Sequence, residues 1–186
     1  MNLYFVTGNK HKVREIREML SPMGIKIIQK NLDIIEPDFS SIEKVAESKA
    51  RQALEKLKKP LIVEDTGIYF KAYRNFPGAL AKRIWLEIGF DGLFRLLKGK
   101  NRKAYFKSTI CYIAPRKKPK LFSGEMRGRI IDWVKSPHAD RLPYEKIFIP
   151  NGLRKVVVDL NLVEKNKISH RAKATRKLAD YLEKIM

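Results

Sequence analysis

The segment from Thr7 to Lys12 combines residue types that could hold a phosphate group, at the point where an apolar stretch gives way to a helical pattern. The first amides of a helix have no partners within the helix, and the helix dipole is positive there. Gly8 allows the backbone to turn tightly and approach a ligand. Thr7 and Asn9 offer neutral hydrogen bonds, and Lys12 offers a charge. A plain turn in which Asn9 caps the helix fits the same residues, so both interpretations stay open.

The adjacent acids Glu64 and Asp65 follow the apolar residues 61–63, which predicts that they end a buried strand. In α/β folds, catalytic groups stand at the carboxyl ends of strands. Two carboxylates beside a phosphate seat suit Mg²⁺, and one acid could hold the metal while the other activates a water. Glu36, after another apolar stretch, is a third candidate acid. A surface turn with solvated acids is the alternative for Glu64 and Asp65.

A third candidate group precedes and begins the last predicted helix, and it comprises Lys165, His170 and Arg171. A histidine and an arginine side by side can hydrogen-bond the edge of a base and a phosphate. The same residues also fit an ordinary helix start in a basic protein, with Ser169 as the cap.

Hydrophobic periodicity places these groups on an alternation of strands and helices. Residues 2–7 form an apolar run, and Val13, Ile16 and Leu20 recur at helical spacing over residues 10–20. An apolar strand follows at residues 25–29, so the chain opens as an α/β unit. The later patterns predict a helix from Ser41 to about Lys58, which Ser40 or Ser41 can cap, and then a strand from residue 61. They further predict, in order, a helical region at 79–99, strands at 104–112, 120–131 and 146–149, and a closing helix from about 169 to 185.

Length and composition fit a single domain over residues 1–186, with a β-rich central lobe at about 104–150. Lys and Arg outnumber Asp and Glu by 40 to 20, which gives a formal charge of +20 and favours polyanionic ligands. No apolar run approaches the roughly 20 residues that cross a bilayer, and the start lacks the pattern of a signal peptide. The single cysteine, Cys111, cannot form an internal disulfide. We therefore expect a cytoplasmic protein with no membrane partner.

Taken together in this order, the segments resemble the inosine triphosphate pyrophosphatase family, also called the non-standard purine NTP pyrophosphatases. Each piece is short, but the ordered set spans nearly the whole chain with compatible spacing. The matching pieces are Thr7-Gly8-Asn9-x-x-Lys12, Glu36, Lys49-Ala50-Arg51, Glu64-Asp65-Thr66-Gly67, Pro77-Gly78, Phe122-Ser123-Gly124 with Gly128, and Ser169-His170-Arg171-x-x-Ala174.

This resemblance implies an α/β fold with two lobes around a central mixed, elongated sheet and a long active-site cleft. It also implies a homodimer and an Mg²⁺-dependent enzyme. The implied reaction hydrolyses ITP, dITP or XTP to the monophosphate and pyrophosphate, which cleanses the nucleotide pool.

The resemblance also assigns roles to single residues. Thr7, Gly8, Asn9, Lys12 and Lys49 would hold the triphosphate, with Thr66 in contact with the substrate. Glu36, Glu64 and Asp65 would bind Mg²⁺, and Asp65 would be the general base. Base contacts would come from Leu142, Tyr144, Glu145, Lys165, His170 and Arg171.

One segment departs from the family pattern. Members carry a glycine-aromatic-glycine-aromatic-Asp-Pro run where this chain has residues 141–146. Tyr144 keeps one aromatic and Glu145 keeps the acid, whereas Leu142 cannot stack on a base as an aromatic ring does. Pro143 also removes a backbone amide. The segment favours, as an alternative, the same chemistry with an altered or broader base preference.

The high charge motivates a second alternative, a basic nucleotide- or nucleic-acid-binding protein without turnover. Its binding would weaken steeply with salt. A pure polyanion binder gains nothing from Glu36, Glu64 and Asp65 in a phosphate cleft. We therefore expect a nucleoside triphosphate as the ligand and consider a nucleic acid the less favoured one.

Overall fold

The computed structural model describes residues 1–37, 39 and 41–186. It contains seven strands: β1 (Asn2–Val6), β2 (Lys26–Lys30), β3 (Leu61–Phe70), β4 (Pro77–Gly78), β5 (Lys103–Ile113), β6 (Lys120–Ile130) and β7 (Phe148–Pro150). Five α-helices accompany them: α1 (Lys10–Leu20), α2 (Ile42–Leu57), α3 (Ala81–Leu96), α4 (Leu162–Ile168) and α5 (His170–Glu183). Short 3₁₀ turns lie at Ser21–Met23, Pro143–Lys146 and Val157–Asp159.

One mixed sheet runs through the molecule in the order β2-β1-β3-β5-β6-β7, with β4 paired to β3. β1 lies parallel to β2 and β3, and all other pairings are antiparallel. The predicted α/β class and mixed sheet are confirmed. No helix of the described residues is long and apolar enough to cross a membrane.

Three apolar clusters divide the sheet into two halves. On the first half, alternate residues of β3 and β5 face opposite sides, since successive side chains of a strand alternate. Ile62 packs with α1 and α5 on one side, and Val63 packs with α2 on the other. The far ends of β3, β5 and β6 form the third cluster with α3, β7 and the 143–158 region. Residues 64–67 therefore lie between the two halves, where a cleft between lobes is expected.

Several predicted element boundaries were wrong. Glu64 and Asp65 do not end their strand, because β3 continues in register with β5 to Phe70. The helical region at 79–99 is bounded at Ala81–Leu96 and is interrupted at Gly89, whose φ of 61° is not helical. Helix α4 was missed. Of the two serines considered as the cap of α2, Ser41 occupies the position without a side-chain capping hydrogen bond, and Ser40 lies outside the described residues.

Candidate active site at the junction of the two halves

The segment predicted to hold phosphate, Thr7 to Lys12, forms the N-terminus of α1, and Asn9 is the N-cap. Asn9 Oδ1 accepts hydrogen bonds from the amides of His11, at 2.9 Å, and Lys12, at 3.3 Å. Thr7 Oγ1 accepts from the Asn9 amide at 3.1 Å. The capping interpretation is therefore confirmed, and the cap occupies the amides of His11 and Lys12. Phosphate contacts by Thr7, Gly8 and Asn9 stay a prediction, for which the positive end of the α1 dipole is the remaining support.

Lys12 connects this loop to the acid pair. Its ammonium lies 2.6 Å from Glu64 Oε2 and donates to the Glu64 carbonyl at 3.2 Å. The contact with Oε2 is a charge pair without hydrogen-bond alignment, and no other described group donates to that oxygen. A cation of the phosphate loop and a carboxylate of β3 thus share one site.

Glu64 is fully buried and held by three elements. Its Oε1 accepts from Ser108 of β5, from Thr66, and from Arg171 Nε of α5 at 3.2 Å. Burial alone would raise the pKa of Glu64, but the charges of Arg171 and then Lys12 lower it well below its usual value. Glu64 is therefore ionised at neutral pH and serves as the centre of a charged network.

Asp65 points to the opposite side of β3 and meets α2. Lys49 Nζ lies 3.7 Å from Asp65 Oδ1 and 3.3 Å from Glu36 Oε1. Burial raises the pKa of Asp65 to about 6; Lys12 and Lys49 oppose this rise, while the charges of Glu64 and Glu36 add to it. A carboxylate with a raised pKa that is still ionised near neutrality is suited to accept a proton from water.

The three predicted metal ligands do not form one cluster. In the described part of the chain, no group of three or more His, Cys, Asp or Glu side chains is placed to hold a metal ion. Glu36 and Asp65 nevertheless converge on one cation, the Lys49 ammonium. Protein-bound Mg²⁺ commonly uses one or two carboxylates, with water and substrate phosphate as its other ligands. Glu36 and the Glu64 Oε2 atom, which has no hydrogen-bond partner among the described residues, therefore offer oxygen donors of the kind that Mg²⁺ binds.

A buried ionic network occupies the other side of β3. Lys165 Nζ lies 2.6 Å from Glu15 Oε1 and 2.5 Å from Glu145 Oε1, and Arg171 Nη1 lies 2.5 Å from Glu15 Oε2. All four side chains are at most 4% exposed. The structure thus brings together Glu145, Lys165 and Arg171, which were predicted to contact a base, around a residue that the sequence analysis missed, Glu15.

His170 differs from its neighbours because it is buried without hydrogen bonds. Its ring stacks on Phe106 with centroids 4.8 Å apart, and neither ring nitrogen has a partner among the described residues. Burial, and then the Arg171 charge, hold the pKa of His170 well below 6.5. The imidazole is therefore neutral, with one donor and one acceptor nitrogen unused.

The segment that departs from the family pattern is only partly turned toward this network. Glu145 joins it through Lys165, and Leu142 is half-buried at the start of the 3₁₀ turn. Tyr144 is buried, and its hydroxyl donates to the Ala81 carbonyl at 2.9 Å. The phenol group is therefore occupied by the protein itself, and a base contact by Leu142 or Tyr144 stays a prediction.

Two further residues of the site escaped the sequence analysis. Ser108 is fully buried and donates to Glu64, and Glu15 links Lys165 to Arg171. Glu15 lies three residues after Lys12 and beside the buried stripe of α1, which was the available signal. No local feature distinguished Ser108, because its partner is 44 residues away.

Comparisons with known proteins agree with this architecture. The Ham1 family model matches residues 3–181. The dITP/XTP pyrophosphatase of Methanopyrus kandleri is 38% identical over 182 residues, covering 97% of this chain and 96% of the relative. That of Thermococcus kodakarensis is 34% identical over 184 residues, covering 98% of each.

Two solved structures share the fold. The Ham1 protein of Staphylococcus aureus superposes with a TM-score of 0.83 at 24% identity and covers 100% of both chains. The HAM1 protein of Coxiella burnetii gives a TM-score of 0.86 at 24% identity and covers 99% of both chains. The resemblance found in the sequence is confirmed.

Proposed function

Because this chain belongs to the Ham1 family, we propose that it hydrolyses the non-standard purine nucleoside triphosphates ITP, dITP and XTP to monophosphates and pyrophosphate. The curated relatives are named dITP/XTP pyrophosphatases. The observation that carries the proposal is the placement of Asp65, a buried carboxylate with a raised pKa, beside the cations Lys12 and Lys49.

The triphosphate would bind along the phosphate loop. Thr7, Gly8 and Asn9 present a backbone already ordered by its own hydrogen bonds, so little entropy is lost on binding. Lys12 and Lys49 would exchange part of their contact with carboxylates for contact with phosphate oxygens. The position of Thr66 beside Glu64 allows it to contact the same substrate. Neutralising the phosphate charge lowers the barrier to attack by a nucleophile.

Asp65 would take a proton from the water that attacks the α-phosphorus. The new bond joins the water oxygen to that phosphorus, the bond to the bridging oxygen breaks, and pyrophosphate leaves. Lys12 and Lys49 lie close enough to the acid pair to stabilise the negative charge that moves onto the leaving group.

Mg²⁺ would be held by Glu36 and Glu64, directly or through water, which leaves Asp65 free to act as the base. When bound, the ion would neutralise phosphate charge and polarise the phosphoryl group.

Base selection would depend on the buried network. His170 has a free donor and a free acceptor, and Lys165 and Arg171 carry donors that could meet the oxygen atoms of hypoxanthine or xanthine. The amino group of adenine is itself a donor, so it could not accept hydrogen bonds from Lys165 or Arg171. Those buried donors would be left without a partner, which costs binding free energy.

A nucleotide panel tests the proposal directly. With Mg²⁺ present, we expect ITP, dITP and XTP to be hydrolysed at least about tenfold faster than ATP or GTP at limiting concentration. ATP lacks the 6-oxo group and GTP carries an additional 2-amino donor, and a mismatch of this kind changes the barrier by about 1–3 kcal/mol. Quantifying pyrophosphate and phosphate as separate products measures both rate and bond position. Release of phosphate would contradict the chemistry. Equal turnover of GTP or ATP would favour the alternative of a broader base preference.

Removal of divalent metal is expected to lower ITP turnover by at least about a hundredfold, since two lysines alone leave most of the phosphate charge uncompensated. The measurement is an EDTA titration followed by return of Mg²⁺, Mn²⁺ or Ca²⁺. Glu36→Gln should raise the Mg²⁺ concentration needed for half-maximal rate, whereas the change Glu18→Gln on the exposed side of α1 should not. Full activity in EDTA would contradict a metal requirement.

We further propose that the chain is a single catalytic domain that works in the cytoplasm as a homodimer. Exposed apolar side chains, including Leu86 at 63% and Leu80 at 41%, lie along α3 and its preceding residue and could be covered by a second copy. The location follows from the proposed substrate, because nucleotide pools are cleansed where nucleic acids are made.

A further inference from the structure

A basic groove is lined by residues other than Asp65, Lys12 and Lys49. Its volume is about 610 Å³, and it is formed by α5, β6 and one residue of β5. The residues that line it are Lys107, Ser123, Gly124, Glu125, Lys173, Arg176 and Lys177.

The groove exists because α5 packs very closely on β6. A side chain at Gly124 would place its Cβ 2.3 Å from the His170 carbonyl oxygen, so only glycine permits this approach. β7 pairs only with residues 128–130 of β6, so residues 120–127 have β5 on one side and no strand on the other among the described residues. The open edge of β6 and the exposed side of α5 form the two walls.

Three cations on α5 line the groove at helical spacing. Lys173 donates to the Glu125 carbonyl and Lys177 to the Ser123 carbonyl, both at 2.7 Å. Arg176 donates to the carbonyls of Asn166 and Lys167. Carbonyl oxygens accept a hydrogen bond but carry no net charge. Within the described residues, no carboxylate lies within 4.0 Å of any of these three cations, and the charge of the groove is therefore not neutralised by the protein.

The remaining charges of the groove do not change its sign. Glu125 lies 3.5 Å from Arg127, and Lys107 lies 2.5 Å from Glu43. Side chains that cover an open strand edge also prevent unwanted pairing with another strand. That role explains why Lys173 and Lys177 bond to β6, but it does not require Arg176, which bonds to α4.

We propose that this groove binds the phosphate backbone of a nucleic acid. Clustered, unneutralised cations along a trough match a chain of regularly spaced negative charges. None of the lining side chains is aromatic, so bases have no platform to stack on, and binding is expected to be independent of sequence. This surface is separate from the proposed catalytic residues and does not depend on the proposed function.

The placement also explains part of the +20 charge, which the enzymatic reaction does not need. A groove for nucleic acid would hold the protein close to the polymers into which non-standard nucleotides would be incorporated.

The test is fluorescence anisotropy with a labelled 20-nucleotide single strand over a range of salt concentrations. Wild-type protein should bind, with log Kd rising linearly with log salt. The triple variant Lys173→Gln, Arg176→Gln, Lys177→Gln should bind about tenfold or more weakly at low salt, with a slope shallower by about 2, because each phosphate contact on a single strand contributes about 0.7 to the slope. ITP turnover by this variant should stay at the wild-type level, which also verifies folding.

A matched control removes the same charge elsewhere. Lys56→Gln, Lys58→Gln, Lys59→Gln changes three exposed lysines near the end of α2 and should keep the wild-type slope. An equal loss of oligonucleotide affinity in both triple variants would overturn the proposal, because it would show an effect of net charge alone. No binding by wild-type protein, or an unchanged slope in the groove variant, would also overturn it. If the triple variant is unstable, Lys177→Glu alone should produce a similar loss.

Two further measurements separate other ligands and sites. Saturating oligonucleotide should leave the initial rate of ITP hydrolysis unchanged, whereas competitive inhibition would place the strand in the catalytic cleft and overturn the proposal. Vesicles of phosphatidylcholine with phosphatidylserine should bind more weakly than the oligonucleotide at equal phosphate concentration. Tighter binding to the vesicles would identify a membrane surface as the ligand instead.

Discussion

Replacement of Asp65 by asparagine is expected to reduce pyrophosphate release from ITP by about 10²–10⁴-fold, the usual contribution of a general base. Asparagine keeps the size and the hydrogen-bonding oxygen of aspartate, so the local packing between β3 and α2 is retained. It cannot accept a proton from water at neutral pH. The measurement is kcat for ITP with pyrophosphate detection, together with the affinity for a non-hydrolysable ITP analogue.

Asp91→Asn on the exposed side of α3 is the matched control, and it should have wild-type kcat. The Asp65→Asn protein should also keep a wild-type melting temperature, which separates lost chemistry from lost folding. Turnover near the wild-type rate in a folded Asp65→Asn protein would rule out Asp65 as the base.

Replacement of Arg171 by leucine is expected to destabilise the protein by about 3–5 kcal/mol, because it leaves carboxylates buried without their partner. Arg171 is 1% exposed and pairs with both Glu15 and Glu64. For a chain of this size, the loss corresponds to a fall in melting temperature of roughly 6–20 °C. Thermal unfolding of wild type and variant at pH 7 measures it.

Arg14→Leu, on the exposed side of α1, is the control for the loss of one arginine and should change stability by less than about 0.5 kcal/mol. The pH dependence gives a second readout. Burial would raise the pKa of Glu15, but the charges of Arg171 and Lys165 lower it to about 2. The stability from this depressed pKa is complete above about 4.5 and is lost as the pH falls toward 2. A small effect of Arg171→Leu at pH 7 would show that the network contributes little.

Sequence patterns predicted an element correctly where the interactions that form it join residues close together in the chain. The buried stripe of α1 at Val13, Ile16 and Leu20 is confirmed, because helical periodicity depends only on neighbours along the chain. The Asn9 cap is confirmed for the same reason. Helix α4 could also have been found, since Asn161 and Glu164 form a capping box that is visible in the sequence.

Long-range pairing was beyond the sequence analysis. Thr66 and Gly67 look like a turn, yet their backbone stays in β3 because Ser108 and Lys107 of β5 lie opposite them. This pairing places Glu64 and Asp65 on opposite sides of the sheet, and their environments therefore differ. One carboxylate is surrounded by hydrogen bonds and cations, while the other is buried with a raised pKa.

The sequence alone determined the family, the α/β class and the identity of the acids and lysines, because an ordered set of short motifs with compatible spacing is specific even when each motif is weak. Only the tertiary structure decided how these charges are used. The Lys165–Glu15 pair joins residues 150 positions apart, and the groove cations face an open strand edge. Burial and partner distance set the behaviour of a charge, and both are properties of the folded chain.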